Sequence, residues 1–227
     1  MRCERLHAAR DGHHGTQIMS FEQAAVRLAG GFIKPIDDET LRSTLQSVLP
    51  NTPLGELENI KSLPGMVNAA ADTLHKVWRA GIDLSARAAD HPRLEALAHL
   101  EAAVLAELPA GMLRPMDIVA CARSRIHHSQ KVLGALTVEG LTELSPCWRP
   151  LLIELATEIP VTWNAGPRRI PAWLAGSAIK VVEAPAQHPE VSVASAASGL
   201  HEAIEALRWV RSLLASGDVA PHEIAIA

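Results

Sequence analysis

The chain has 227 residues, 48% of them apolar and 20% charged, with a formal net charge of −4 and an isoelectric point near 6.3. That balance suits a soluble globular chain of one or two domains with a sizeable core. It excludes a polycation that searches for phosphates over its whole surface, so any nucleic-acid contact is local. No apolar run approaches the roughly 20 residues needed to span a bilayer, and residues 1–20 lack the apolar core of a signal peptide.

After a charged start containing His13-His14, Ser20-Phe21-Glu22-Gln23 forms a capping-box pattern that predicts a helix over residues 21–29, ended by Gly30-Gly31. Residues 36–133 read as helical. Asp37 and Asp38 favour a helix start near Glu39. Leu63-Pro64 opens a second helix with the stripe Met66, Ala70, Leu74, Val77 and Trp78 before Gly81. Leu94, Leu97, Val104, Leu105 and Leu108 mark a third, and Pro115 begins a fourth that carries Met116, Val119, Ala120 and Ile126. Four such helices can bury their stripes together as a small bundle.

Leu136–Trp163 then reads as strand, turn, helix, strand. Residues 135–139 are short and mostly apolar, as in a parallel sheet covered on both faces, and Gly140 ends them. Ser145 offers a cap and Pro146 a preset φ for a helix with Trp148, Leu151, Leu152, Leu155 and Ile159 on one face. Pro160 stops it and Val161-Thr162-Trp163 resumes an extended run, completing a βαβ unit whose crossover should be right-handed. The Pro- and Gly-punctuated stretch from Gly166 to Pro189 reads as a connection between lobes. Val191–Ala194 reads as a strand. A helix over about 199–216 follows, with Leu200, Ile204, Leu207, Val210 and Leu214 inward, early acids Glu202 and Glu205, late Arg208 and Arg211, and Gly217 as its stop. The last five residues, 223–227, read as an apolar strand that would continue into more sheet, so the chain reads as a fragment.

The order of these parts resembles the inactivated helicase region of AddB-type and RecC-like helicase–exonuclease subunits, built on the superfamily 1 helicase fold. Thr16–Phe21 looks like the strand-then-helix pattern that follows the first nucleotide-binding strand. Residues 36–133 look like the helical insertion called 1B. Leu136–Pro146 resembles a decayed Walker B strand, with Glu139 where nucleotide-hydrolysing sheets keep a metal-binding carboxylate. Residues 191–227 look like the opening of the second motor domain. The resemblance implies an α/β fold: a partial parallel sheet of helicase (RecA-like) type with a large all-helical insertion. It divides the chain into residues 1–35 (start of domain 1A), 36–133 (insertion), 134–189 (remainder of 1A and connector) and 190–227 (start of a truncated second domain).

Two departures matter. A Walker A loop needs Gly-x-x-x-x-Gly-Lys-Ser/Thr to hold phosphates, and here no lysine follows a glycine. The family's carboxy-terminal PD-(D/E)XK nuclease also has no counterpart. Neither ATP hydrolysis nor DNA cleavage is therefore expected of this chain alone, and no cofactor. The resemblance implies a non-catalytic, DNA-contacting scaffold in double-strand-break repair, with DNA and an AddA-type helicase subunit as partners; the missing apolar span and the cysteine usage predict no membrane partner and a cytoplasmic setting. The isolated cysteines Cys3, Cys121 and Cys147, without CxxC spacing, also point to a reducing compartment and against structural zinc.

At the level of single residues, Glu139 reads either as a degenerate Walker B acid or as a solvated strand-end carboxylate. Arg123, Arg125 and Lys131, beside His127-His128, and Arg168-Arg169 are the candidates for contact with DNA phosphates, against a reading as plain solvated faces. No metal site is expected: neighbouring histidines point about 100° apart on a helix, and His91 and His99 would lie about 12 Å apart along one. Tyrosine is absent and phenylalanine occurs twice, so base-stacking platforms have few candidates among mainly tryptophan aromatics. A different class of reading, a helical protein-interaction module without DNA binding, follows from the acidic net charge and the amphipathic bundle.

Overall fold

The computed structural model describes residues 16–184, 191, 193–217 and 219–225. His13-His14, Cys3, residues 185–190 and the last two residues of the expected terminal strand lie outside them. The chain divides into two units, residues 1–185 and 186–227.

Residues 16–20 belong to no strand, which corrects the strand-then-helix reading there. Helix α1, Phe21–Leu28, starts where the capping box places it: Ser20 Oγ accepts from the Gln23 amide, and the Gln23 side chain accepts from the Ser20 amide. A two-residue strand β1, Lys34–Pro35, leads into α2, Asp38–Val48, capped by Asp37 through the Thr40 amide at 2.7 Å. Helix α3, Met66–Ala80, begins after Pro64 rather than at it, with Gly65 at φ +89° as its N-cap. The short α4, Leu84–Arg87, is capped by Asp83. Helix α5, Pro92–Glu107, is capped by the His91 ring, whose Nδ1 accepts from the Arg93 amide, so this histidine serves the backbone. Strand β2, Met112–Leu113, pairs in parallel with β1, which brings together the two points where the chain enters and leaves the helical segment.

Two apolar cores result. One gathers Leu41, Leu45, Leu74, Trp78, Leu84, Leu100 and Val104 from α2 to α5. The fourth expected helix, α6 at Pro115–Ser124, does not join it. Its buried residues Ile118, Val119 and Ala122 pack in the other core with Ala25 and Leu28 of α1. Ala120, expected inward, is exposed, because the buried stripe runs through Ile118 and Ala122 instead. The four-helix bundle of the sequence reading is thus corrected to a helical core without α6. Helix α7, Ser129–Val132, follows, and the chain then enters the sheet.

Strand β3, Leu136–Glu139, is followed by a turn of 3-10 helix at Pro146–Trp148 and helix α8, Arg149–Glu158, then strand β4, Val161–Gly166. Strands β3 and β4 are parallel, Leu136 opposite Val161 and Glu139 opposite Asn164. Ser145 makes no side-chain cap; its carbonyl accepts from the Trp148 amide instead. A third strand, β5 at Lys180–Glu183, extends the sheet in parallel to the order β3-β4-β5. It lies inside the stretch read as a connection between lobes, a correction. The sheet is also not covered on both faces. Central β4 buries Val161, Trp163 and Ala165, but Thr137, Glu139, Lys180 and Glu183 are exposed. The fold is mixed α/β with small parallel sheets.

A buried polar group lies beside the helical core. Glu101 of α5 is 5% exposed, accepts from the Trp78 indole, and pairs with Arg114 at 2.8 Å; Arg114 also grips Asp117 of α6 with two bonds of 2.8 and 3.1 Å. Since Trp78 and Asp117 belong to elements in different cores, Arg114 ties the cores together electrostatically. Hydrogen bonds to Asp117 and Glu101 hold its guanidinium in the charged form more firmly than usual.

In the second unit, helix α9, Gly199–Ser216, is capped by Ser198 through the His201 amide and closed by Gly217 at φ +78°. None of its residues is buried: of the expected inward stripe Leu200, Leu207 and Leu214 are exposed and Ile204 and Val210 half-buried, and Trp209 is exposed as well. Val191 and Val193 are likewise exposed and in no strand, and residues 223–225 form no strand, Pro221–Glu223 being a 3-10 turn.

Candidate functional site

In open parallel sheets, the loops at the carboxyl ends of the strands are where ligands collect, because successive strands deliver their following loops to the same edge. Here that edge is formed by the ends of β3, β4 and β5, the last of which carries the exposed Glu183. Glu139 is the last residue of β3 and is exposed; the Asn164 amide of β4 reaches toward it at 3.5 Å. The Asn164 side-chain Oδ1 accepts from the Gly166 amide at 3.2 Å, and the ladder to β5 slips between these residues. Gly166, at φ +57°, then allows the chain to turn, and the Arg168 amide closes the turn on the Ala165 carbonyl at 3.1 Å. This local geometry places Arg168 and Arg169 beside the strand end. Both are exposed, and neither has a carboxylate partner among the described residues.

The opposite wall is braced. Glu143 accepts from the Trp173 indole at 2.6 Å, from the Leu144 amide at 3.1 Å and from Arg149 at 3.1 Å. These donors, the Trp173 indole first, hold its carboxyl below the usual range and keep it ionised. Arg149 lies 5.4 Å over the Trp173 ring and donates to the Leu144 carbonyl, while Trp173 meets buried Trp163 edge-on at 5.5 Å. Between the walls lies an open cavity of about 310 Å³, lined by Thr142, Glu143 and residues 168–172. It presents one engaged carboxylate and two free guanidiniums, which suits an anion rather than a metal.

Among the described residues no group of three or more His, Cys, Asp and Glu side chains stands close enough to hold a metal ion. A strand-end acid such as Glu139 needs further ligands to retain a divalent cation, and among the described residues its one side-chain hydrogen bond comes from Asn164. Nucleophilic chemistry has no support at Cys147, whose thiol burial pushes up to about 11, so it stays protonated at neutral pH.

The other predicted cations separate. Arg123, half exposed, is engaged in an ion pair with Glu154 of α8. Arg125 donates from Nε to the Leu28 carbonyl at the end of α1, at 3.1 Å, and Lys131 is exposed with no carboxylate partner among the described residues. The rings of His127 and His128 lie 4.0 Å apart. Repulsion from His127 foremost, with burial and the charges of Arg125 and Lys131, keeps the His128 pKa below its ordinary value. The structure therefore sets Arg125 and Lys131 around the His127–His128 pair as one basic cluster, while Arg123 faces Glu154. The sequence reading missed the Glu143–Arg149–Trp173 brace, which joins residues 30 apart and carries no local spacing signal, and Asn164, visible only once β3 and β4 are paired.

No helix among the described residues is long and apolar enough to cross a membrane. Compared with known proteins, the chain matches no family model, no curated protein and no solved structure.

Proposed function

We propose that the chain is a non-catalytic, helicase-like module of a double-strand-break-repair helicase–nuclease subunit of AddB type, serving as a DNA-contacting scaffold beside an AddA-type motor subunit. The observation that carries the reading is the carboxyl edge of the parallel sheet: beside the strand-end acids Glu139 and Glu183, on the two outer strands, it holds Arg168 and Arg169 without a carboxylate partner among the described residues, where an ATP-hydrolysing sheet would gather metal and phosphate ligands. Guanidiniums without a carboxylate partner attract phosphate oxygens strongly and bidentately. The motif order supports the same reading, as does the packing: α1 before the helical segment shares a core with α6, α8 and the sheet after it, as in a motor-like domain interrupted by an insertion.

Titrating labelled DNA at several salt concentrations tests it. Binding weakens with salt, and Arg168→Ala plus Arg169→Ala lowers the log–log slope by about 1.4 to 1.8, two phosphate contacts' worth. The same protein turns over no ATP with single-stranded DNA present. Robust hydrolysis abolished by Glu139→Gln refutes the silent-motor reading, and absence of DNA binding at low salt refutes the scaffold reading.

A second reading, a protein-interaction module without DNA binding, is favoured by one observation: Leu200, Leu207, Trp209 and Leu214 of α9 are all exposed, in a unit whose helix buries no residue. Retained partner capture with no DNA affinity would select it.

A further inference from the structure

Phe32, one of two phenylalanines in the chain, is 98% exposed. Leaving such a ring in water forgoes the gain of burying it, and the neighbouring backbone is held in place. The Gly31 amide bonds the Val26 carbonyl at 3.0 Å, and the Lys34 amide bonds the Gly111 carbonyl at 2.8 Å, so the turn is tethered on both sides of the ring. Gly30 and Gly31, at φ +121° and +76°, make the turn that side chains would resist. From there the chain alternates: Ile33 packs on the sheet core while Phe32 and Lys34 face solvent. Phe32 is displayed from a fixed backbone.

The same turn touches the positive cluster. A Cβ on Gly30 would meet the Arg125 guanidinium at 4.0 Å. Only Nε of Arg125 is bonded among the described residues, to Leu28, which fixes the side chain and leaves its terminal nitrogens for another acceptor. His127, His128 and Lys131 follow on the next two turns of chain, and Arg125 and Lys131 both lie near enough to His128 to disfavour its protonated form. The acids that follow Lys34 do not neutralise this patch: Asp37 caps α2, and Asp38 pairs with Arg42 and His75.

We propose that Phe32 is a stacking platform for an unpaired base, with the flanking phosphates lying over Arg125 and Lys131. The ligand class is then single-stranded nucleic acid, since an exposed ring can stack only on a base whose face is open, and a cationic track beside an aromatic is how non-specific single-strand sites are built. The inference rests on the nucleic-acid reading above and adds to it the strandedness and the residue that selects it.

The test is fluorescence anisotropy of the full chain with a labelled oligothymidylate of about 15 nucleotides, an abasic oligomer of the same length, and a duplex, since base–aromatic stacking contributes about 1–3 kcal/mol per base. Wild type binds oligothymidylate about 5- to 160-fold more tightly than the abasic strand, and Phe32→Ala removes that preference while leaving the salt slope unchanged; Phe32→Trp restores it. Arg125→Ala plus Lys131→Ala lowers the slope by about 1.4. Oligothymidylate affinity indifferent to Phe32→Ala, or equal affinity for the abasic strand, overturns the inference. If that result comes with binding that still falls on Arg168→Ala plus Arg169→Ala, the scaffold reading stands and only the stacking role fails. No binding of any strand sinks both.

Discussion

Arg114→Met isolates the interaction that joins the two cores. The substitution keeps much of the side-chain volume but removes the only cation paired with Glu101 among the described residues, and Glu101 is 5% exposed. A carboxylate stranded in that position keeps its bond from the Trp78 indole and loses its charge partner, and Asp117 loses two bonds. Removing one member of a buried pair costs about 3–5 kcal/mol, a large part of the roughly 5–15 kcal/mol available to a native domain. Urea unfolding followed by circular dichroism and tryptophan fluorescence reads the change as a lower midpoint. The double variant Glu101→Gln plus Arg114→Met recovers much of the loss, because the neutral amide still accepts from Trp78 and leaves no uncompensated charge. A single variant within about 1 kcal/mol of wild type, or a double variant no better than the single, refutes the claim that the pair is buried and mutually dependent.

Gly81→Ala costs roughly 1–3 kcal/mol in the same assay, because Gly81 sits at φ +70° and an added Cβ would stand 3.3 Å from the Cys147 backbone. Ser20→Ala loses the capping box of α1 and about 1 kcal/mol, and Ser20→Asp retains most of it. Trp163→Ala, 1% exposed at the centre of the sheet, destabilises by about 3–5 kcal/mol. Cys147 contributes a pH dependence whose sign follows from its raised pKa. Burial lifts the thiol from its ordinary 9.0 to about 11, so the unfolded chain ionises first. Its stabilising effect is complete below about 9 and is lost as pH rises toward about 11. Cys147→Ala flattens that slope in denaturation series across this range, and an unchanged slope refutes the assignment.

Elements whose limits depend on neighbouring residues were legible in the chain itself. Helix α1 starts at its Ser20–Gln23 box, α2 at Asp37, and α9 runs from Ser198 to Gly217, because caps and left-handed glycines act within a few residues. The β3–α8–β4 unit was readable for the same reason: Gly140, Pro146 and Pro160 punctuate it locally. The basic residues of the candidate site were visible as types, but not as a site.

Pairing and packing decided the rest. Lys180–Glu183 became a strand because β4 offers an edge there, whereas Val191 and Val193, with better strand composition, found no partner and stayed exposed. Helix α6 has a stripe that would serve either core; its register buries Ile118 and Ala122 with α1 and the sheet. Which arginines remained free was likewise settled by contacts distant in sequence, Glu154 taking Arg123 and the Leu28 carbonyl fixing Arg125. The display of Phe32 came from the tether between Lys34 and Gly111, 77 residues apart. Local conformational preference is written residue by residue, but burial and charge pairing are properties of surfaces that exist only once distant segments meet.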